Sequence, residues 1–159
     1  MSEAQYNGEV ASAFLNAWNS ERTQRGLTPV TIENGSKAQS IATARIPQVL
    51  SQQTAGQGIY LDHYYGGAMA SRVLSKQLGF NGIGTSETLS GAGDNSQTVM
   101  TNKTPSSVGA KLLHEMIYND AESANVHRDT LLETNGTHAG IAVGQVYGSV
   151  IVVTEQSAK

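Results

Sequence analysis

The stretch that most restricts this chain is its closing pattern: "AGIAVGQV", then "YGS", then "VIVVTEQ". Two runs rich in β-branched residues around a short Gly-bearing turn are the signature of a hairpin. Such a sheet has an apolar face to cover, and the preceding segments read as helices. "GEVASAFLNAWNSERTQRGLTP" sets Val10, Phe14, Ala17 and Trp18 at helical spacing, with Glu21, Arg22 and Arg25 on other faces and Gly26 and Pro29 ending the run. "TIENGSKAQSIATARIPQVL" carries Ala38, Ile41, Ala42 and Arg45 on a second helix, whose small residues favour close packing. "GGAMASRVLSKQLGF" carries Met69, Val73, Leu74 and Leu78 on a third, ended by Gly79. "NGIGTSETLSGAGDNSQ" reads as a loop with a short extended piece around Glu87. In "KTPSSVGAKLLHEMIYNDAES", Thr104 is the expected N-cap and Pro105 the first helical residue. Val108, Leu112, Leu113, Met116 and Ile117 form the stripe of this fourth helix. Helices first and strands last predict an α+β fold, with helices covering a small antiparallel sheet. No repeat or linker divides the sequence, so the expectation is one domain over 1–159.

Composition removes several classes of function. Net charge is -3 and only 14% of residues are charged, with no basic block. Binding to nucleic acid through phosphate neutralisation is therefore not expected. The absence of Cys rules out disulfides, thiolate metal sites and Cys nucleophiles. The opening "MSEAQYNGEVAS" has neither a basic n-region nor an apolar h-region, so no signal peptide is expected in it. No apolar run approaches the ~18 residues of a membrane span. No G-x-S-x-G, P-loop or H-E-x-x-H occurs, and "GFNGIG" lacks the strand and helix that a phosphate-cradling loop requires.

The titratable candidates are scattered. His63 lies among aromatics in "YLDHYYGG", His114 on the fourth helix, His127 in the loop after it and His138 in the turn "NGTHAG". None stands at local zinc-ligand spacing. Tyr60, Tyr64 and Tyr65 flank His63; such rings serve as core and rim, or stack on sugars.

Taken in order, several segments resemble the CAP superfamily of cysteine-rich secretory, antigen 5 and pathogenesis-related proteins, and in particular its bacterial SCP-like extracellular branch. "FLNAWNSERTQRGLTPV" resembles the family's leading L-N-x-x-R-x-x-x-G-L-x-P-L, and "AQSIATAR" its second-helix alanine repeat without the preceding Leu. "HYYGGAMASRVLSKQLGF" followed by "SETLSG" resembles H-x(n)-R-x(n)-G-[YF]…G-E-N-[IL]-A-x-G. "NVHRDTLL" resembles G-H-R-x-N-[IL]-L, and "AGIAVGQVYGSVIVVTEQ" the closing G-[IV]-G-V-A hairpin. Order and spacing hold over nearly the whole chain. Thr88 stands where the pattern has Asn, and Val126 where it has Gly.

The resemblance implies an α-β-α sandwich with a cleft holding two His and two acids. Carried over by position, these are His63, Glu87 and His127, with Glu115 in "LLHEM" as the second acid. There Leu112 replaces the usual Trp, and Asp120 or Glu122 can be aligned instead. The implied role is a secreted or cell-surface bacterial module in which His63 and His127 bind a divalent metal such as zinc. Glu87 and Glu115 would orient the rings. The expected partner is a small ligand, a lipid or a cell-wall glycan. The alternatives are a metal-dependent, peptidase-like hydrolase using the same four groups, and a structural cell-wall interaction domain without catalysis.

Overall fold

The computed structural model describes residues 1–80, 84–96 and 102–158. Helix α1 (Glu3–Gln24) starts from a capping box: the Ser2 hydroxyl accepts from the Gln5 backbone while the Gln5 side chain accepts from the Ser2 backbone. Its buried residues are Tyr6, Val10, Phe14, Trp18 and Arg22, one every fourth position. Arg22 therefore lies on the apolar stripe and not on another face as expected. It is tolerated there because its guanidinium donates to the carbonyls of Thr28, Leu131 and Glu133 at 2.7–2.8 Å.

Strand β1 (Thr31–Ile32) leads to α2 (Lys37–Ser51), capped by Ser36 and containing Pro47. A two-stranded ribbon follows, β2 (Tyr64–Tyr65) and β3 (Ala68–Met69), turned by Gly66 and Gly67 at positive φ. Helix α3 (Ala70–Gln77) buries Ala70, Ser71, Leu74 and Ser75. Of the expected stripe only Leu74 is buried; Val73 and Leu78 are exposed, because α3 turns its small residues inward and packs beside α2. Around Glu87 the expected short extended piece is a seven-residue strand, β4 (Ser86–Ala92). Positions 81–83 and 97 of that Gly- and Ser-rich stretch lie outside the described residues.

Helix α4 (Pro105–Tyr118) begins with Pro105 after Thr104, although the Thr104 side chain makes no capping bond. A 3-10 turn (Ala121–Ser123) and a short α5 (Val126–Leu131) come next, so His127 sits on a helix and not in a loop. Ala124 and Asn125 enter α5 in the left-handed region, at φ 53° and 60°. The hairpin is β5 (His138–Val146) and β6 (Ser149–Ser157), joined by Tyr147 and Gly148, both at positive φ as a tight hairpin turn demands. His138 opens β5 instead of sitting in the turn.

The sheet order is β1-β5-β6-β4. The pairs β4–β6 and β5–β6 are antiparallel; only the two-residue β1 runs parallel, against β5. Alternate residues of β6 serve two cores. Val150 and Val152, with Ala139 and Ile141 of β5, pack against Val10, Phe14 and Trp18 of α1 and Leu112, Leu113 and Met116 of α4. Ile151 and Val153, with Leu89 of β4, pack against Ala42 and Val49 of α2. The run "VIVV" lacks polar alternation because both of its faces are covered. The result is the three-layer α-β-α arrangement.

Candidate functional site

His63 precedes β2 and is held from three directions. Its carbonyl accepts from the Ala70 backbone at 3.0 Å. The carbonyl of its neighbour Asp62 accepts from Arg45 Nη2 at 2.7 Å. Its ring Nδ1 lies 2.9 Å from Glu87 Oε1. Glu87 is also clamped by Arg45, whose Nε reaches Oε2 at 2.8 Å and Nη2 reaches Oε1 at 3.0 Å. Arg45 is 0% exposed at its side chain and Glu87 4%, whereas the His63 side chain is 47% exposed. Burial alone would push the Glu87 carboxyl up. Hydrogen bonds from His63, Glu155 and Arg45, with the guanidinium charge, outweigh burial and hold it at about 2. Glu87 is thus ionised and can only accept, so in this contact His63 Nδ1 is the donor.

His127 repeats the arrangement on α5. Its Nδ1 lies 2.8 Å from Asp120 Oδ1, and Asp120 Oδ2 accepts from the Arg128 backbone at 3.1 Å. Burial would raise the Asp120 carboxyl, but the His127 and Arg128 hydrogen bonds hold it below the usual carboxylate range. Asp120 can serve because it lies past the end of α4, where the chain turns back into α5. The Arg128 side chain forks onto the neighbouring Asp129, its Nε and Nη2 both donating to Oδ1.

Glu115 stands elsewhere. It is exposed on α4, 3.9 Å from Lys111, and opens onto a cavity of about 340 Å³ beside Lys103, Lys111, Leu112 and the end of β4. The acid beside His127 is Asp120, not Glu115. A second cavity of about 270 Å³ lies against His63 and Glu87, walled by Tyr64, Met69, Ser71, Thr85 and Ser86. Helix α5 packs against β4, the strand that bears Glu87.

Among the described residues no three His, Cys, Asp or Glu side chains gather as a group able to hold a metal. The donors on offer are single imidazoles, His63 and His127, each anchored at Nδ1 by its own carboxylate, fewer than the four protein ligands of a closed structural site.

Solved structures similar in architecture include the following three. The CAP domain of enterococcal PrgA matches with a TM-score of 0.63 at 17% identity, over 100% of this chain and 64% of that one. A cysteine-rich secretory protein from Staphylococcus aureus matches with 0.59 at 16%, over 95% of this chain and 39% of that one. An outer surface protein from Borrelia burgdorferi matches with 0.62 at 15%, over 95% and 94%. The chain has the CAP fold. The likeness is one of architecture at these identities, and this chain spans less than two thirds of the first two proteins. No protein-family model and no curated protein matches the sequence.

Within the CAP fold two residues stand out that the motifs did not single out as site members, Arg45 and Glu155. Arg45 sits at helical spacing on an otherwise apolar stripe, Ala38, Ile41 and Ala42. A cation there needs buried acceptors, supplied here by the Glu87 carboxylate, the Gln48 side chain and the Asp62 carbonyl. Glu155 shares the inward face of β6 with Ile151 and Val153 and lies directly across from Glu87. An acid at that parity in a fully buried strand is the sequence signal that could have found it.

Proposed function

We propose that this CAP-fold chain is a secreted or cell-surface bacterial module whose His/acid cleft takes up a divalent metal or a small ligand. The observation that carries the reading is the repeated pairing of imidazole Nδ1 with a buried carboxylate, His63 with Glu87 and His127 with Asp120. This is how proteins orient a ring so that Nε2 is a ready ligand. His63 and His127 would hold the ion, while Arg45 keeps Glu87 charged and in place. A divalent ion bound there would supply a Lewis-acid centre with open positions. Tyr60, Tyr64 and Tyr65 are exposed around His63 and offer flat faces to a cell-wall sugar.

The hydrolase alternative is less well supported. Glu87 is held ionised by three kinds of donor, which suits an anchor better than a general acid or base cycling near neutral pH. Calorimetry with Zn²⁺ tests the binding reading. The expected result is weak binding by the parent chain, reduced at least about tenfold by either His63→Ala or His127→Ala, as removal of one of two ligands requires. No heat at millimolar Zn²⁺, or equal affinity after His127→Ala, would sink it.

A further inference from the structure

We propose that Glu155 is a positioning residue of the His63 site: a neutral carboxylic acid, buried opposite Glu87, that donates its proton to Glu87 and steadies the carboxylate on which His63 rests. The inference goes beyond the ligand reading and does not depend on any ion being bound.

The strand register carries it first. Glu87 of β4 and Glu155 of β6 are direct partners in an antiparallel pair, so their side chains leave the same face of the sheet side by side. Glu155 is 0% exposed. Among the described residues two carboxyls share this space with a single arginine, and that arginine is committed. Arg45 directs Nε and Nη2 to Glu87, Nη1 to Gln48 and Nη2 also to Asp62. Among the described residues Glu155 has no cation of its own. The groups facing it are Glu87 from β4, Arg45 from α2 and the Thr85 hydroxyl, while β5 places only Gly140 across from it.

The hydrogen bonding carries it second. Thr85 Oγ1 donates to Glu155 Oε1. Oε2 is buried and, taken as an unprotonated oxygen, has no partner. An orphan carboxylate oxygen in that position would be costly. Put the proton on Oε2 and the orphan becomes a donor with an ionised acceptor beside it in Glu87. Consistently, burial and then the Glu87 hydrogen bond and charge push the Glu155 carboxyl well above the usual range, more than Thr85 and Arg45 pull it down. One buried proton shared across β4 and β6 thus leaves a single negative charge, matched by Arg45, and His63 hangs from that charge.

Carboxyl ¹³C NMR of glutamate-labelled, metal-free protein tests this, comparing the parent with Glu155→Gln and Glu155→Leu. The parent should show Glu155 as a protonated acid at neutral pH and Glu87 titrating at about 2. Glu155→Gln, which keeps a permanent donor, should leave the Glu87 midpoint and the single His63 tautomer seen in ¹⁵N spectra unchanged. Glu155→Leu removes the donor, so the Glu87 midpoint should climb by about one unit and the His63 tautomers should mix. If the Leu variant does not fold, the Gln variant still decides the matter. Relative to the parent it should gain stability progressively as pH rises above about 4.5, because only the parent is held against ionisation. A carboxylate signal for Glu155 at neutral pH, a Glu87 midpoint identical in all three proteins, or a Gln variant that loses stability on the alkaline side overturns the proposal. Because no metal enters the measurement, its failure would leave the zinc-binding reading standing, and failure of zinc binding would leave this one standing.

Discussion

Arg45 bears more on the integrity of the site than either histidine does. Among the described residues it is the only Lys or Arg paired with the buried Glu87 anion, and it holds it with a two-pronged fork. Arg45→Leu strands that anion and should cost about 3–5 kcal/mol in urea denaturation. Arg45→Lys should recover little, since an ammonium cannot make the paired contacts. The two carboxyls also pull stability in opposite directions with pH. Glu87, held at about 2, gives stability that is complete above its ordinary 4.5 and is lost as pH falls toward 2. Glu155 is held the other way. Its native state keeps a proton that the unfolded chain loses above about 4.5, so its contribution declines as pH rises from there toward its raised native value. Denaturation midpoints taken along pH should therefore show an acid limb that shrinks in Glu87→Gln, with the part owed to Asp120 remaining. His63 and Glu87 were legible from motif order, and Asp120 stood as one of three choices for the remaining acid. Arg45 appeared only as a member of a helical stripe, because a sequence lays out one face of α2 without showing what the sheet puts against it.

At the scale of elements, close backbone approach explains both the success and the misses. Helix α1 meets α4 at Gly109, where an added Cβ would lie 2.3 Å from the Val10 carbonyl oxygen and 3.0 Å from the Phe14 nitrogen. Helix propensity favours Ala over Gly by about 1 kcal/mol. Those neighbours are backbone atoms of another helix and cannot yield cheaply, so Gly109→Ala should be destabilising by about 2 kcal/mol net, read as a lower thermal midpoint. The long helices and the final hairpin were legible because their apolar periods are strong. Strand β4 was legible only as a short extended piece around Glu87: "SETLSGA" is small and hydroxyl-rich, and Leu89 is its one large apolar residue. Its strand character comes from its ladder with β6, a long-range property. The inward face of α3 was missed for a related reason, since Ala70, Ser71 and Ser75 are buried by proximity to α2 and not by hydrophobicity. At α5, Trp18 and Arg22 both donate to the Leu131 carbonyl, which ties the His127 helix to α1 across more than a hundred residues.

At the scale of the molecule, the expected α-β-α sandwich and the CAP architecture agree, and the sheet is antiparallel apart from β1. Strand β6 is the common member. It pairs with β4 and β5, supplies apolar residues to both helical layers and places Glu155 beside the anion that steadies His63. This has a consequence for the order of assembly. During synthesis a chain that has reached only Tyr147 already carries β1 and β5, with α1 and α2 to pack on them, but β4 still has no strand to pair with. Strand β4, and the Glu87 it bears, take their place only once β6 has emerged beside them. The pocket around His63 is then the last part of this nascent chain to close, in a long-range step that follows the helices.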